Sequence, residues 1–163
     1  MKRFYLPILA AMVFFSSGCL ESLGPAEDEL GPTGAIRGRV TYTGQWPPES
    51  QLQDIRFVAM KFQPRNAQDI LFALLTGDLV STEGLRRNVP VDTFSIRDVP
   101  NGTYVYNGIA RQYGPNQLND WDALGIYKPN NGTFTIRGNE IFIEINVDFG
   151  NLPPFPPTKI VGD

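Results

Sequence analysis

Between Glu140 and Phe149 the chain alternates almost without a break: Ile141, Ile143, Ile145, Val147 and Phe149 fall to one side of an extended strand, and Glu140, Glu144, Asn146 and Asp148 to the other. Successive side chains of a strand point to opposite faces, so a slip of one residue would bury four polar groups, and the strand's orientation is fixed. Phe142 is the exception on the polar side. A chain with such a segment must build a sheet with one buried face and one solvated face.

The same period-two pattern recurs upstream and marks half-buried strands. Ile36, Val40 and Tyr42 alternate with Arg37, Arg39 and Thr41, and Gly44 closes that run. Residues Asp54 to Gln63 are apolar on both faces in their middle, which predicts a central strand. Phe94 and Ile96 alternate with Thr93, Ser95 and Arg97 up to the Pro100-Asn101-Gly102 turn signal. Tyr104 to Tyr113 reads as the next strand, and Phe134 with Ile136 leads through Gly138-Asn139 into the last one. Only Ala67 to Leu79 breaks the pattern: Ile70, Leu71, Leu74 and Leu75 have helical spacing, predicting a short helical insertion over the end of the sandwich, with an apolar-plugged loop as the other reading. Pro90 places Asn88 to Val91 at a sheet edge, because proline cannot donate to a ladder. About seven short strands separated by turns, without regular helical crossovers, predict an all-β antiparallel Greek-key sandwich over residues 34–149. The prolines at 153, 154, 156 and 157 make residues 150–163 an extended tail.

Cys19, the only cysteine, follows Lys2-Arg3, an apolar run from Phe4 to Phe15, and Ser16-Ser17-Gly18. The apolar run is too short to cross a bilayer and has the basic, apolar, small-residue order of an export signal. Residues 1–18 are therefore expected to be removed as a bacterial lipoprotein signal and Cys19 acylated; plain secretion with a free or buried thiol is the other reading, and Ser16 stands where such signals usually have leucine. The lipoprotein resemblance implies several acyl chains on this cysteine, enough for stable attachment, and Leu20 in place of aspartate resembles outer-membrane lipoproteins. Residues 19–33, rich in Gly, Pro, Glu and Asp, read as a flexible acidic linker with a reach of roughly 20 Å. Removing residues 1–18 from the 163 leaves 145, an ordinary single domain. Without Lys2 and Arg3 the mature chain has 12 basic and 17 acidic residues, a formal charge of −5. No clustered basic face exists to neutralise phosphates, and nucleic acid is not an expected partner. With one cysteine no intrachain disulfide can form, so stability rests on packing.

Two stretches resemble a known family. Gly34 to Gly44 (GAIRGRVTYTG) and Phe94 to Tyr106 (FSIRDVPNGTYVY) are similar to the first strand and the strand, V-P-x-G-x-Y, strand hairpin of carboxypeptidase regulatory-like domains, which are transthyretin-like sandwiches. The resemblance implies a structural, adhesive or ligand-contacting module. One transthyretin-like branch hydrolyses hydroxyisourate using histidines, an arginine and a C-terminal Tyr-Arg-Gly-Ser motif; this chain has no histidine and ends Lys159-Ile160-Val161-Gly162-Asp163.

Other chemistry is sparse. Without histidine there is no imidazole base and no zinc site of the usual kind, and neither a metal nor a cofactor is expected. Asp120 and Asp122 flank Trp121 and could serve as a glycosidase pair or, with Asn119, as calcium ligands; the spacing matches no known calcium loop, and solvated turn residues are the simpler reading. Trp46, Tyr113, Trp121 and Tyr127 lie in or beside loops, where rings suit glycan or protein contacts but also cap core ends. Tyr104, just after the turn, is expected to pack or hydrogen-bond as a corner tyrosine. Asn101-Gly102 and Asn131-Gly132 fit glycosylation patterns and read better as turn dipeptides. The expected role is a non-enzymatic, lipid-anchored envelope module contacting another envelope protein, with polysaccharide binding through the four rings as the alternative.

Overall fold

The computed structural model describes residues 33–117 and 119–155. The expected export signal 1–18, Cys19, the expected linker as far as residue 32 and the tail after Phe155 lie outside the described residues. Nine strands and one α-helix follow in order: β1 (Thr33–Thr43), β2 (Asp54–Met60), α1 (Ala67–Thr76), β3 (Leu79–Ser81), β4 (Val91–Pro100), β5 (Gly102–Tyr104), β6 (Tyr106–Gln112), β7 (Trp121–Ile126), β8 (Phe134–Ile136) and β9 (Glu140–Asp148). They form a sheet ordered β4-β1-β9, a second ordered β3-β2-β6-β7, and a β5-β8 ladder. The fold is an all-β sandwich with one short helical insertion, as the alternation predicts.

Every strand pair is antiparallel except β1 and β9, which run parallel from Ala35 opposite Glu140 to Thr43 opposite Asp148. Parallel neighbours need a long crossover, and here the rest of the domain supplies it. The expected strand Tyr104 to Tyr113 is divided at Val105, because β5 pairs with β8 while β6 pairs with β2. The Val105 N–H donates to the Met60 carbonyl at 2.9 Å across this change of partner. Tyr104, fully buried, donates its hydroxyl to the Pro100 carbonyl at 2.9 Å and so ties the β5 start back to the end of β4.

Between the two main sheets, Ile36, Val40 and Tyr42 of β1 and Ile143, Ile145 and Val147 of β9 meet Ile55, Phe57 and Ala59 of β2, Ile109 of β6 and Leu124 of β7. Gly38 shows how tightly these layers fit. It sits opposite Phe94 in the β1/β4 ladder, and a Cβ there would lie 2.2 Å from the Phe94 ring. The glycine lets that ring lie down across β1, where Phe57 stacks on it from the other sheet with centroids 4.5 Å apart.

The two outer faces differ. On β4-β1-β9, Arg37 pairs with Glu140 at 3.0 Å and Arg39 with Glu144 at 2.5 Å, all four half-exposed. On β3-β2-β6-β7, Val58 and Met60 point away from the core, and Met60, Ala73 of α1 and Tyr106 form a second buried cluster. This explains why β2 is apolar on both faces: one meets the opposing sheet and the other meets α1. The helix thus lies over the outer face of the four-stranded sheet, not over the end of the sandwich as its sequence position suggested.

Candidate functional site

Helix α1 is delimited by local chemistry. At its start the Asn66 side chain accepts from the Asp69 N–H at 3.0 Å, satisfying a donor that the first turn leaves open, and the Asp69 side chain accepts from the N–H of Arg65, just before the cap, at 2.8 Å. The backbone hydrogen bond from Arg65 is the main cause of the Asp69 carboxyl lying below its ordinary pKa. At its end Gly77 takes the left-handed conformation, φ 75°, which glycine adopts without the Cβ clash. Between these caps runs Ile70-Leu71-Phe72-Ala73-Leu74-Leu75, six apolar residues in succession. An amphipathic surface helix would interrupt such a run with polar residues.

Only Ala73 in that run is fully buried; Phe72, Leu74 and Leu75 are 60%, 58% and 77% exposed. Ile70, Leu71 and Leu74 form one wall of a groove of about 340 Å³. Its floor is the outward row of β2 (Asp54, Arg56, Val58, Met60) with Tyr106, Gly108, Ala110 and Gln112 of β6. Because the floor follows β2 from end to end, the groove runs along the strands for about 20 Å at the usual rise per residue. Phe155, beyond the last strand, also lines it.

The groove is apolar near Met60 and Tyr106 and polar at the other end. There Arg56 Nε donates to Asp54 at 2.6 Å, and Arg111 pairs with Asp122 at 3.2 Å across β6 and β7. Asp122 also accepts from the Ala123 N–H at 2.8 Å. The Tyr106 phenol is pushed up to about 12 by burial and, secondarily, by the charge of Asp122, and its ring forms part of the floor. The geometry offers an apolar trough with paired charges at one mouth. That suits holding a mostly apolar chain with a polar end.

The four ring candidates are divided by the fold. Trp46 packs on Tyr42 and Phe149, each with centroids 4.6 Å away, and so covers one end of the core. Tyr127 meets Phe134 edge-on at 6.2 Å and also packs on the core. Trp121 lines the polar end of the groove, its indole N–H donating to the Gln117 carbonyl at 2.7 Å. Tyr113 is exposed at the start of the β6–β7 loop. The carboxylates beside Trp121 have separate tasks: Asp120 accepts from the Asn116 N–H at 2.9 Å and shapes the β6–β7 loop, while Asp122 pairs with Arg111. The groove itself escaped the sequence reading, although its signals were present in a central strand apolar on both faces and a helix apolar almost all round.

Comparison with protein-family models, with curated proteins and with solved structures finds no match to this chain. The class defined here is therefore that of the fold: an all-β sandwich whose one helix borders an open apolar groove.

Proposed function

We propose that this chain is a non-enzymatic module of the bacterial cell envelope, anchored by acylation of Cys19, that contacts another envelope protein by taking an apolar segment of it into the groove beneath α1. The observation that carries this reading is the groove: a long trough lined by Val58, Met60, Ile70, Leu71 and Leu74, with Phe155 from beyond the last strand at its border. A stable monomer gains nothing by leaving a helix of six apolar residues half bare, and such patches mark contact surfaces. Extended segments lying beside a sheet are a recurring way to recognise a partner chain. The resemblance to carboxypeptidase regulatory-like domains, whose members act as accessory modules, points the same way. The alternative, polysaccharide binding, keeps Trp121 and Tyr113 as its available rings, since Trp46 and Tyr127 pack on the core.

A photo-crosslinking residue at Leu71, in intact cells, is expected to give one envelope-protein adduct that disappears when Leu74→Asp is added. The same probe at Glu144, on the opposite outer face, is expected to give none. Equal labelling from both positions, or an adduct indifferent to Leu74→Asp, contradicts the reading. Retention of Trp121→Ala protein on immobilised polysaccharide, measured against the parent, separates the alternative.

A further inference from the structure

We infer that the bare side of helix α1, Phe72 and Leu75 with the edge of Leu74, rests on the surface of the lipid bilayer. The inference rests on the proposal that Cys19 is acylated. It adds a second, non-covalent contact that would set the orientation of the domain.

The patch lies on the last turns of α1, and the C-terminal cap of that helix is linked to the strand end where the anchored segment joins. Thr33, the first described residue, pairs with Pro100 in the β1/β4 ladder. Pro100 leads into Gly102, where a Cβ would lie 3.1 Å from the Lys61 side chain. The Lys61 N–H in turn donates to the Asp78 carbonyl at 3.0 Å, immediately after the Gly77 cap of α1. Entry to the domain and the C-terminal end of the helix are thus joined through a few directly touching residues. From Cys19 to Thr33 the chain can span at most about 50 Å even when fully extended, so the whole domain stays within reach of any membrane that holds Cys19 and the patch can touch it. Glu49 and Gln112 lie at the other end of the strands, since Gln112 pairs with Asp54 at the start of β2 whereas Tyr106 pairs with Met60 at its end.

The chemistry of the patch suits a bilayer interface. Phe72 and Leu75 are 60% and 77% exposed and do not line the groove, so a partner segment seated there would leave them bare. A ten-residue helix is too short to cross a membrane, but an apolar helix face can lie in the headgroup and acyl boundary. The mature chain is acidic, yet the charges around α1 are balanced locally: Arg65 pairs with Asp69 at 3.3 Å and Lys61 with Asp78 at 3.8 Å. The patch therefore brings no uncompensated negative charge against anionic lipid.

Acylation uses the one native cysteine, so a cysteine introduced at Leu75 can carry a single environment-sensitive fluorophore. The full-length protein, purified from membranes with Leu75→Cys or, as the far-end control, Glu49→Cys, is labelled and reconstituted into phosphatidylethanolamine–phosphatidylglycerol vesicles containing a lipid-borne quencher. The inference predicts strong quenching at position 75, little at position 49, and a several-fold loss of the position-75 signal on adding Phe72→Ser, with thermal unfolding unchanged. Equal quenching at the two positions, or quenching at 75 only after other envelope proteins are added, overturns it, the latter assigning the patch to a protein. Intact mass reports acylation independently. If Cys19 carries no lipid, the anchoring proposal fails and the same probes in a Cys19→Ala background still decide: selective quenching at 75 sustains the bilayer contact, and its absence overturns it.

Discussion

The two outer faces of this sandwich are built from the same kind of strand and have opposite characters. On β4-β1-β9 the outward residues are Arg37, Arg39, Glu140 and Glu144, paired across the β1/β9 ladder, with Phe142 as a lone exposed ring. On β3-β2-β6-β7 the outward residues include Val58, Met60 and Tyr106, partly covered by a helix whose own Phe72, Leu74 and Leu75 stay exposed. A solvated face needs only polar side chains in register. An apolar face needs a cover, and the cover here is incomplete. The difference separates what holds the fold together from what is available for contact.

The largest expected effect tests whether stability resides between the sheets. Phe57→Ala removes a fully buried ring stacked on Phe94 and should cost about 4 kcal/mol, whereas Leu75→Ala, on the bare side of α1, should change the urea midpoint very little. Comparable losses would make the helix part of the core. The next effect concerns Asp92, the only charged side chain buried among the described residues. Its carboxylate accepts from the Arg86 and Thr93 N–H groups at 2.8 and 2.9 Å and from Arg86 Nε at 2.8 Å. Asp92→Ala should cost about 2 kcal/mol, measured by the same denaturation.

The pH dependence of that contribution has a definite sign. Burial raises the Asp92 pKa, but the Arg86 guanidinium and the two backbone donors outweigh it and hold the carboxyl below its ordinary value. Its stabilisation is thus fully present above the ordinary carboxylate pKa of about 4 and is lost as pH falls through the lower folded value. Asp92→Asn should flatten that acid limb. On the groove side the sign is reversed in direction of pH: Tyr106 is raised from 10.0 to about 12, first by burial and then by Asp122. Its stabilisation is complete below pH 10 and lost as pH rises through about 12. Tyr106→Phe should lessen the alkaline loss, with Tyr42 and Tyr104, both also raised chiefly by burial, carrying the remainder. An unchanged alkaline limb would place the Tyr106 phenol in water. The smallest effect belongs to the solvated face, where a double-mutant cycle on Arg39 and Glu144 should give about 0.5 kcal/mol or less.

Much of this fold was legible because alternation is a local signal. Ile143, Ile145 and Val147 are buried and Phe142 is exposed, as the run from Glu140 to Phe149 dictates. Which strands become neighbours was not legible, since pairing β1 with β9 brings together residues about a hundred positions apart through backbone hydrogen bonds that any side chain permits. The change of partner at Val105 was hidden for the same reason. The rings show another limit: Trp46, Tyr127 and Trp121 all sit near loops, and nothing in their neighbours reveals that the first two fold onto the core while the third turns to the groove. The groove had a signal, an apolar helix beside a strand apolar on both faces, but its floor and wall come from separate segments that only the fold brings together.

The central claim is that contact is made by the α1 face and not by the charged face. Hydrogen exchange of the full-length protein in native envelope membranes, compared with the purified protein in detergent, reads both faces at once. Slower exchange is expected in the membranes across α1, β3 and the β6–β7 loop, with β4 and the β9 edge unchanged. Slowing confined to β4 and β9, or none on the α1 face, would contradict it.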